Sequence, residues 1–117
     1  MNLTKLVVAS DPGLSAAAKL DDNLEEARAW VHEVLGALSC DTDNDSRLRE
    51  TLRVFLRNGG SYQCTADQLN LQVDSVKYRV QRAVRRRGRP INDRLDVELA
   101  LLVSYWFGGA LLQPIQS

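Results

Sequence analysis

The chain has 117 residues, room for one domain around a single modest core. Its 15 Lys and Arg balance 15 Asp and Glu, yet residues 1–50 carry a net of −5 and residues 51–117 a net of +5, so the neutrality is not local. No apolar run approaches the ~20 residues that span a bilayer, and no charged-then-apolar export pattern opens the chain; both predict a cytoplasmic protein with no membrane partner.

Residues 3–9 (LTKLVVA) read as a short strand or docking segment, and Asp11-Pro12-Gly13 breaks the chain after it. An alanine-rich short helix is predicted over residues 14–20. Asp21 or Asp22 is expected to cap the next helix, whose apolar positions Leu24, Ala27, Val31, Val34, Leu35 and Leu38 follow a three-four spacing. The polar run DTDND (residues 41–45) ends that helix, and Ser46 is expected to cap another that reaches about Arg57, with Leu48, Leu52, Phe55 and Leu56 inward. Asn58-Gly59-Gly60 supplies left-handed backbone to stop it. Ser61 then caps a short helix with Ala66 and Leu69 inward. Asn70 makes a sharp turn that Leu71 anchors.

Asp74 is the expected cap of the following helix, which runs to about Arg87 before Gly88 and Pro90 end it. Asp93 caps the last long helix, with Leu95, Leu99, Leu102 and Trp106 as one stripe and Val97, Leu101 and Tyr105 on other sides. A helix so apolar needs two partners, one of which would be a second copy of the chain. The fold class is all-α: an N-terminal helical and linker segment (1–45), a helix-turn-helix domain (46–109) and a tail (110–117).

Between Asp74 and Arg94 eight bases stand against two acids. On a wheel of the helix from Asp74 to Arg87, Val76, Val80, Ala83 and Val84 share one side, and Ser75, Tyr78, Arg79, Arg82, Arg85 and Arg86 lie opposite. A helix apolar on one side and cationic on the other, presented after a short helix and a tight turn, suits the DNA major groove. Ser75, Tyr78, Arg79 and Arg82 are the side chains expected near base edges, since arginine pairs bidentately with guanine. Arg85, Arg86, Arg87 and Arg89 are assigned to the phosphate backbone, with Lys77 on the flank. Amides near Ser61 would meet a further phosphate.

The plainer reading is a solvated basic face, or a helical module that meets an acidic protein partner. Single-stranded or RNA binding is disfavoured, because aromatic residues are not interleaved with the bases.

The segments LRETLRVFLRNGGS (residues 48–61), TADQLNL (65–71) and DSVKYRVQR (74–82) resemble the C-terminal helix-turn-helix domain of PucR-type (purine catabolism regulator) transcription factors. The likeness runs from about Pro12 to Phe107. It implies that Asp74, Ser75, Lys77, Tyr78 and Arg79 occupy the family's DNA-reading motif. It also implies a bacterial regulator, often an activator, with a separate effector-sensing region upstream. Such a region would not fit within this chain, which points to an output domain or a short stand-alone relative. Gln72 and Val73 stand where the family usually has basic residues or histidine, Asp74-Ser75 replaces Asn-Thr, and Val84-Arg85-Arg86-Arg87 replaces acidic and leucine residues. These differences move the balance of basic contacts towards the C-terminal end of the helix.

Other residues carry less. His32 is the only histidine, so a metal or general-base role lacks partners. The Asp41-Asp43-Asp45 run lacks the central glycine and terminal glutamate of a calcium loop. Asn58-Gly59-Gly60-Ser61 has neither the preceding strand nor the following G-K-[ST] of a nucleotide loop. Cys40 and Cys64 form no C-x-x-C pair and fit a reducing compartment. Trp30, Trp106 and Phe107 read as core or interface. No enzyme and no cofactor are implied.

Overall fold

The computed structural model describes residues 23–114. The segments expected at residues 3–9, 11–13 and 14–20 lie outside them. The elements are α1 (Leu24–Leu35), a 3₁₀ turn (Gly36–Ser39), α2 (Asp43–Arg57), α3 (Tyr62–Leu69), α4 (Val73–Arg87), α5 (Arg94–Phe107) and a second 3₁₀ turn (Gly108–Leu111). Among the described residues the one β-type pairing is a single bridge between Cys40 and Gln113, so the fold is all-α as expected.

Each helix begins and ends for a local reason. Asn23 is the N-cap of α1, one or two residues later than expected, and Glu25 and Glu26 face the positive end of the helix. Thr42, not Ser46, caps α2: its hydroxyl accepts from the Asp45 amide at 3.0 Å and donates to the Asp45 carboxylate at 2.9 Å. The cap and the third helical residue thus bond each other twice, through the Asp45 amide and through its carboxylate. The DTDND run therefore starts the helix and does not merely separate two. Gly59 and Gly60, both at positive φ, end α2 as predicted.

One core joins all five helices. Ala27, Val31, Val34 and Leu35 of α1, Leu38, Leu48, Leu52 and Leu56 of α2 and its approach, and Val76, Val80 and Ala83 of α4 belong to a single buried cluster. The three-four stripe on α1 is thus the one read from the sequence. Helix α5 is apolar on more than one side, as expected, and buries only part of that surface. Val97, Ala100, Leu101, Val103 and Ser104 are buried, whereas Leu95 is 77% exposed and Trp106 59% exposed. Of the stripe Leu95, Leu99, Leu102 and Trp106, the two ends face outward while Leu99 packs against the core.

The expected boundaries at 45/46 and 109/110 both fall inside this core. Leu111 and Leu112 are buried, and Ala110 O accepts two hydrogen bonds from the Arg28 guanidinium. Gln113 donates its N–H to Ser39 O at 2.9 Å and accepts from the Asp41 amide at 2.8 Å. Leu35 has no exposed surface, so Leu35→Ala is expected to lower stability by about 2–5 kcal/mol. Urea unfolding followed by tryptophan fluorescence, to which Trp30 on α1 contributes, and by far-UV circular dichroism should give one midpoint. An earlier transition confined to fluorescence would separate α1 from the cooperative unit.

Candidate nucleic-acid interface

The α3–turn–α4 unit is held by short-range chemistry that the sequence announces. Ser61 caps α3, its Oγ accepting from the Cys64 amide at 3.1 Å, while Thr65 Oγ1 donates to Ser61 O at 2.7 Å. Asn70 takes φ 56° and ψ 48°, and the Leu71 amide returns to Ala66 O at 2.9 Å, closing the helix by a Schellman-type pairing. Asn58 Nδ2 donates to Gln68 Oε1 at 3.0 Å, tying the end of α2 to α3. Helix α4 then begins at Val73 with Gln72 as its N-cap, so Asp74 sits in the first turn instead of capping it.

Val76, Val80 and Ala83 bury one side of α4. On the other side Asp74, Ser75, Lys77, Tyr78, Arg82 and Arg85 are exposed and Arg79 is half-buried. Tyr78 is 63% exposed, which places the ring on the surface and not in the core. Lys77 Nζ lies 5.6 Å from the centre of the Tyr62 ring, and that ring stacks at a tilt against Phe55 at 4.8 Å. Arg79, Arg82 and Arg85 make no ion pair with a described residue. Arg82, Arg85 and Arg86 with Ala37 line an open hollow of about 300 Å³. Gln81, which the sequence reading passed over, is exposed on the same side. Its place at i+3 from Tyr78 was the available signal.

The arginines at the end of α4 do something else. Arg87 is buried, with no exposed side-chain surface, and cannot reach a phosphate. Its Nε donates to Val34 O at 2.7 Å, its Nη1 to Pro90 O at 2.9 Å, and its Nη2 to both Asp93 carboxylate oxygens at 2.7 and 2.6 Å. The backbone assignment for Arg87 is therefore corrected. Its position continues the series Val76, Val80, Ala83 at i+11, so helical geometry had placed it on the buried side and its charge concealed this. Arg86 is half-buried and forks onto Asp45, with Nε and Nη2 each 2.9 Å from a carboxylate oxygen, while Nη2 also donates to Ala37 O at 3.0 Å. Arg89 stays exposed but donates to Glu33 O at 3.0 Å. The Ser61 hydroxyl is spent on its own cap, and its amide donates to Asn58 O at 3.3 Å. His32 is exposed, its Nδ1 3.1 Å from Ser39 Oγ. Among the described residues no group of three potential metal ligands occurs.

Two short helices joined by a left-handed asparagine turn, the second solvent-facing and basic, define a helix-turn-helix. Comparison with known families agrees: residues 48–103 match the PucR C-terminal helix-turn-helix domain, and this segment is a domain of that family. A protein of Thermomonospora curvata named "Uncharacterized protein in pkwA 5'region" is 38% identical over 69 residues, covering 59% of this chain and 38% of that relative. The chain thus spans little more than a third of the relative's length. No solved structure matches the chain. Among the described residues no helix is long and apolar enough to cross a membrane.

Two carboxylates behind the basic face titrate abnormally. Burial by itself would raise the Asp45 pKa, but the Arg86 and Thr42 hydrogen bonds and the charges of Arg86 and Arg49 outweigh it and hold the group below its ordinary value. Asp93 is also held low, chiefly by its hydrogen bond from Arg87. A folded-state pKa below the unfolded one gives stability that is full above the unfolded value, near 4, and is lost as pH falls through the folded value. The urea midpoint should therefore drop as pH is lowered from about 5 towards 2. In Asp45→Asn/Asp93→Asn the midpoint should be lower at neutral pH and flatter across that window. An unchanged acid slope in this variant would show that the two pairs do not carry it.

Proposed function

We propose that the protein binds double-stranded DNA sequence-specifically as a bacterial transcriptional regulator, with α4 in the major groove. The observation that carries this reading is the outer side of α4, where Arg82 and Arg85 are exposed and Arg79 half-exposed, all three without a carboxylate partner among the described residues. Guanidinium groups left unpaired beside a rigid helix are suited to guanine edges and phosphates. Ser75, Tyr78, Arg79 and Arg82, with Gln81 added, are the base-reading set; Lys77 and Arg85 meet the backbone, and the first amides of α3 after Ser61 meet another phosphate. The acidic Asp74 in the first turn of α4 sets the helix end against its dipole and does not itself approach phosphate. The family match at residues 48–103 supports a regulatory role over a catalytic one and a cytoplasmic location. The greater length of the relative fits an output domain that serves a separate effector-sensing region.

The same reading includes a homodimer. Leu95, Tyr105, Trp106 and Phe107, four of the five large apolar side chains exposed among the described residues, all lie on α5. A second copy packed there would present two recognition helices to an inverted repeat with half-sites about 34 Å apart.

Arg82→Ala should weaken binding to a selected duplex by about 1–3 kcal/mol and relax the preference at one base pair, read by fluorescence anisotropy on single-base variants of that duplex. Wild-type affinity of this variant for both selected and random DNA would remove α4 from the groove. Random duplex should compete, with a steep log–log dependence on salt, as an acidic protein partner would not require. Trp106→Asp should shift sedimentation of the free protein from dimer to monomer without loss of helix. A wild-type protein that stays monomeric at high concentration and on DNA would refute the dimer.

A further inference from the structure

We infer that Arg86, Arg87 and Arg89 are positioning residues that moor the C-terminal end of the recognition helix to α1, which makes residues 24–45, ahead of the family-matched segment, part of the reading unit. The inference rests on the DNA-binding reading above. An α-helix leaves its last four carbonyls without partners inside the helix. On α1, two of these are Glu33 O and Val34 O, and they accept from Arg89 Nη2 and Arg87 Nε at 3.0 and 2.7 Å. One turn further, Ala37 O accepts from Arg86 Nη2 at 3.0 Å. Three cations from one short stretch of chain thus close the C-terminal end of a neighbouring helix, where the macrodipole also favours positive charge.

The backbones meet as well. Gly36 has φ 58°, and a Cβ built there would lie 2.6 Å from Arg87 O, so the last turn of α4 rests directly on the end of α1. Asp45 from the first turn of α2 holds Arg86 from a second direction, and Asp93 from the approach to α5 holds Arg87 from a third. Sideways displacement of the helix end is blocked by three elements. Tyr78 lies nine residues before Arg87, about 13 Å along the axis, so a tilt of about 10° at the clamp would move it by about 2 Å. Base contacts tolerate misplacement of only about 0.5 Å. Loosening the clamp therefore costs recognition before it costs the fold, because Val76, Val80 and Ala83 still bury the middle of the helix.

The test separates placement from phosphate contact in the full chain. Binding to a duplex selected from a random pool and to a random duplex of equal length is measured over a range of salt. Arg87→Lys keeps the charge but loses the planar fork; Gly36→Ala alters no charge and displaces Arg87 O. Both should lower the ratio of selected to random affinity about tenfold, the worth of one lost base contact, while random-duplex affinity stays at wild type. Arg86→Gln combined with Asp45→Asn should leave the log–log salt slope unchanged, whereas Arg85→Ala should reduce it by about 0.9. Circular dichroism confirms that each variant is folded; should Arg87→Lys fail to fold, Gly36→Ala and Arg89→Ala carry the comparison. An unchanged affinity ratio in the folded variants, or a slope reduced in the Arg86/Asp45 pair, would overturn the inference. A wild-type chain that binds no duplex at all would instead sink the function on which it rests.

Discussion

A guanidinium can be buried only where each of its nitrogens finds a partner, since the desolvation of an unmatched charge costs several kcal/mol. Arg87 meets that condition with acceptors from three places: a carbonyl at the end of α1, a carbonyl in the turn after α4, and the carboxylate of Asp93. Pro90 and Asp93 lie within six residues of Arg87, whereas Val34 is 53 residues away in the chain. The pairing therefore exists only in the assembled fold, and it fixes where α4 ends relative to α1 and α5. Arg49 applies the same logic one layer away. It is buried, with Nη1 donating to Leu38 O at 2.8 Å and to Cys40 O at 2.6 Å, and burial pushes its pKa down against the opposing charges of Asp45 and Asp41. Arginine here holds irregular backbone between α1 and α2 that no helix bond satisfies.

This internal use of arginine changes what the charge pattern means. The basic half of the chain holds ten bases, but Arg86 and Arg87 are neutralised at close range by Asp45 and Asp93. Asp45 comes from the acidic half, so the segregation along the sequence is partly undone in space. Arg86 is raised in pKa chiefly by the hydrogen bond it donates to Asp45, as expected of a cation held against a buried carboxylate. What remains for solvent on α4 is Lys77, Arg79, Arg82 and Arg85, a band along the outer face of the helix and not a cluster at its end. A band matches a helix lying in a groove between two phosphate strands better than an end cluster would.

The sequence was most legible where one residue decides a local conformation. Ser61 as cap, Asn70 in the left-handed region and the glycines after Asn58 each have few substitutes, so the α3–turn–α4 unit could be placed from spacing alone. It was less legible where two signals competed. In residues 41–45 the polar composition suggested a linker, yet Thr42 stands where its hydroxyl can accept from the amide three residues on, and it starts α2. At Arg87 charge argued for solvent while helical register argued for the core. Register prevailed because α1 supplies carbonyls at that position, and nothing local to residue 87 reveals them.

Helix α5 shows the same competition in its apolar form. Three-four spacing selects Leu95, Leu99, Leu102 and Trp106, yet only Leu99 of these packs against the core, while Leu95 and Trp106 are exposed. Helix α1 packs on α5 with Ala27 and Val31 in the shared core, and Ala100, Val97 and Ser104 of α5 are buried with them. Interaxial distance falls with the size of the side chains at the contact. The buried side of α5 combines small residues, Val97, Ala100 and Ser104, with one leucine, Leu101. Leu95, Tyr105 and Trp106 face outward, where Arg53 covers one ring: its guanidinium carbon lies 4.2 Å from the centre of Tyr105. The exposed side chains Leu95, Tyr105, Trp106 and Phe107 are open to a partner without any rearrangement of the core, and they lie on the helix that follows the Arg87–Asp93 clamp.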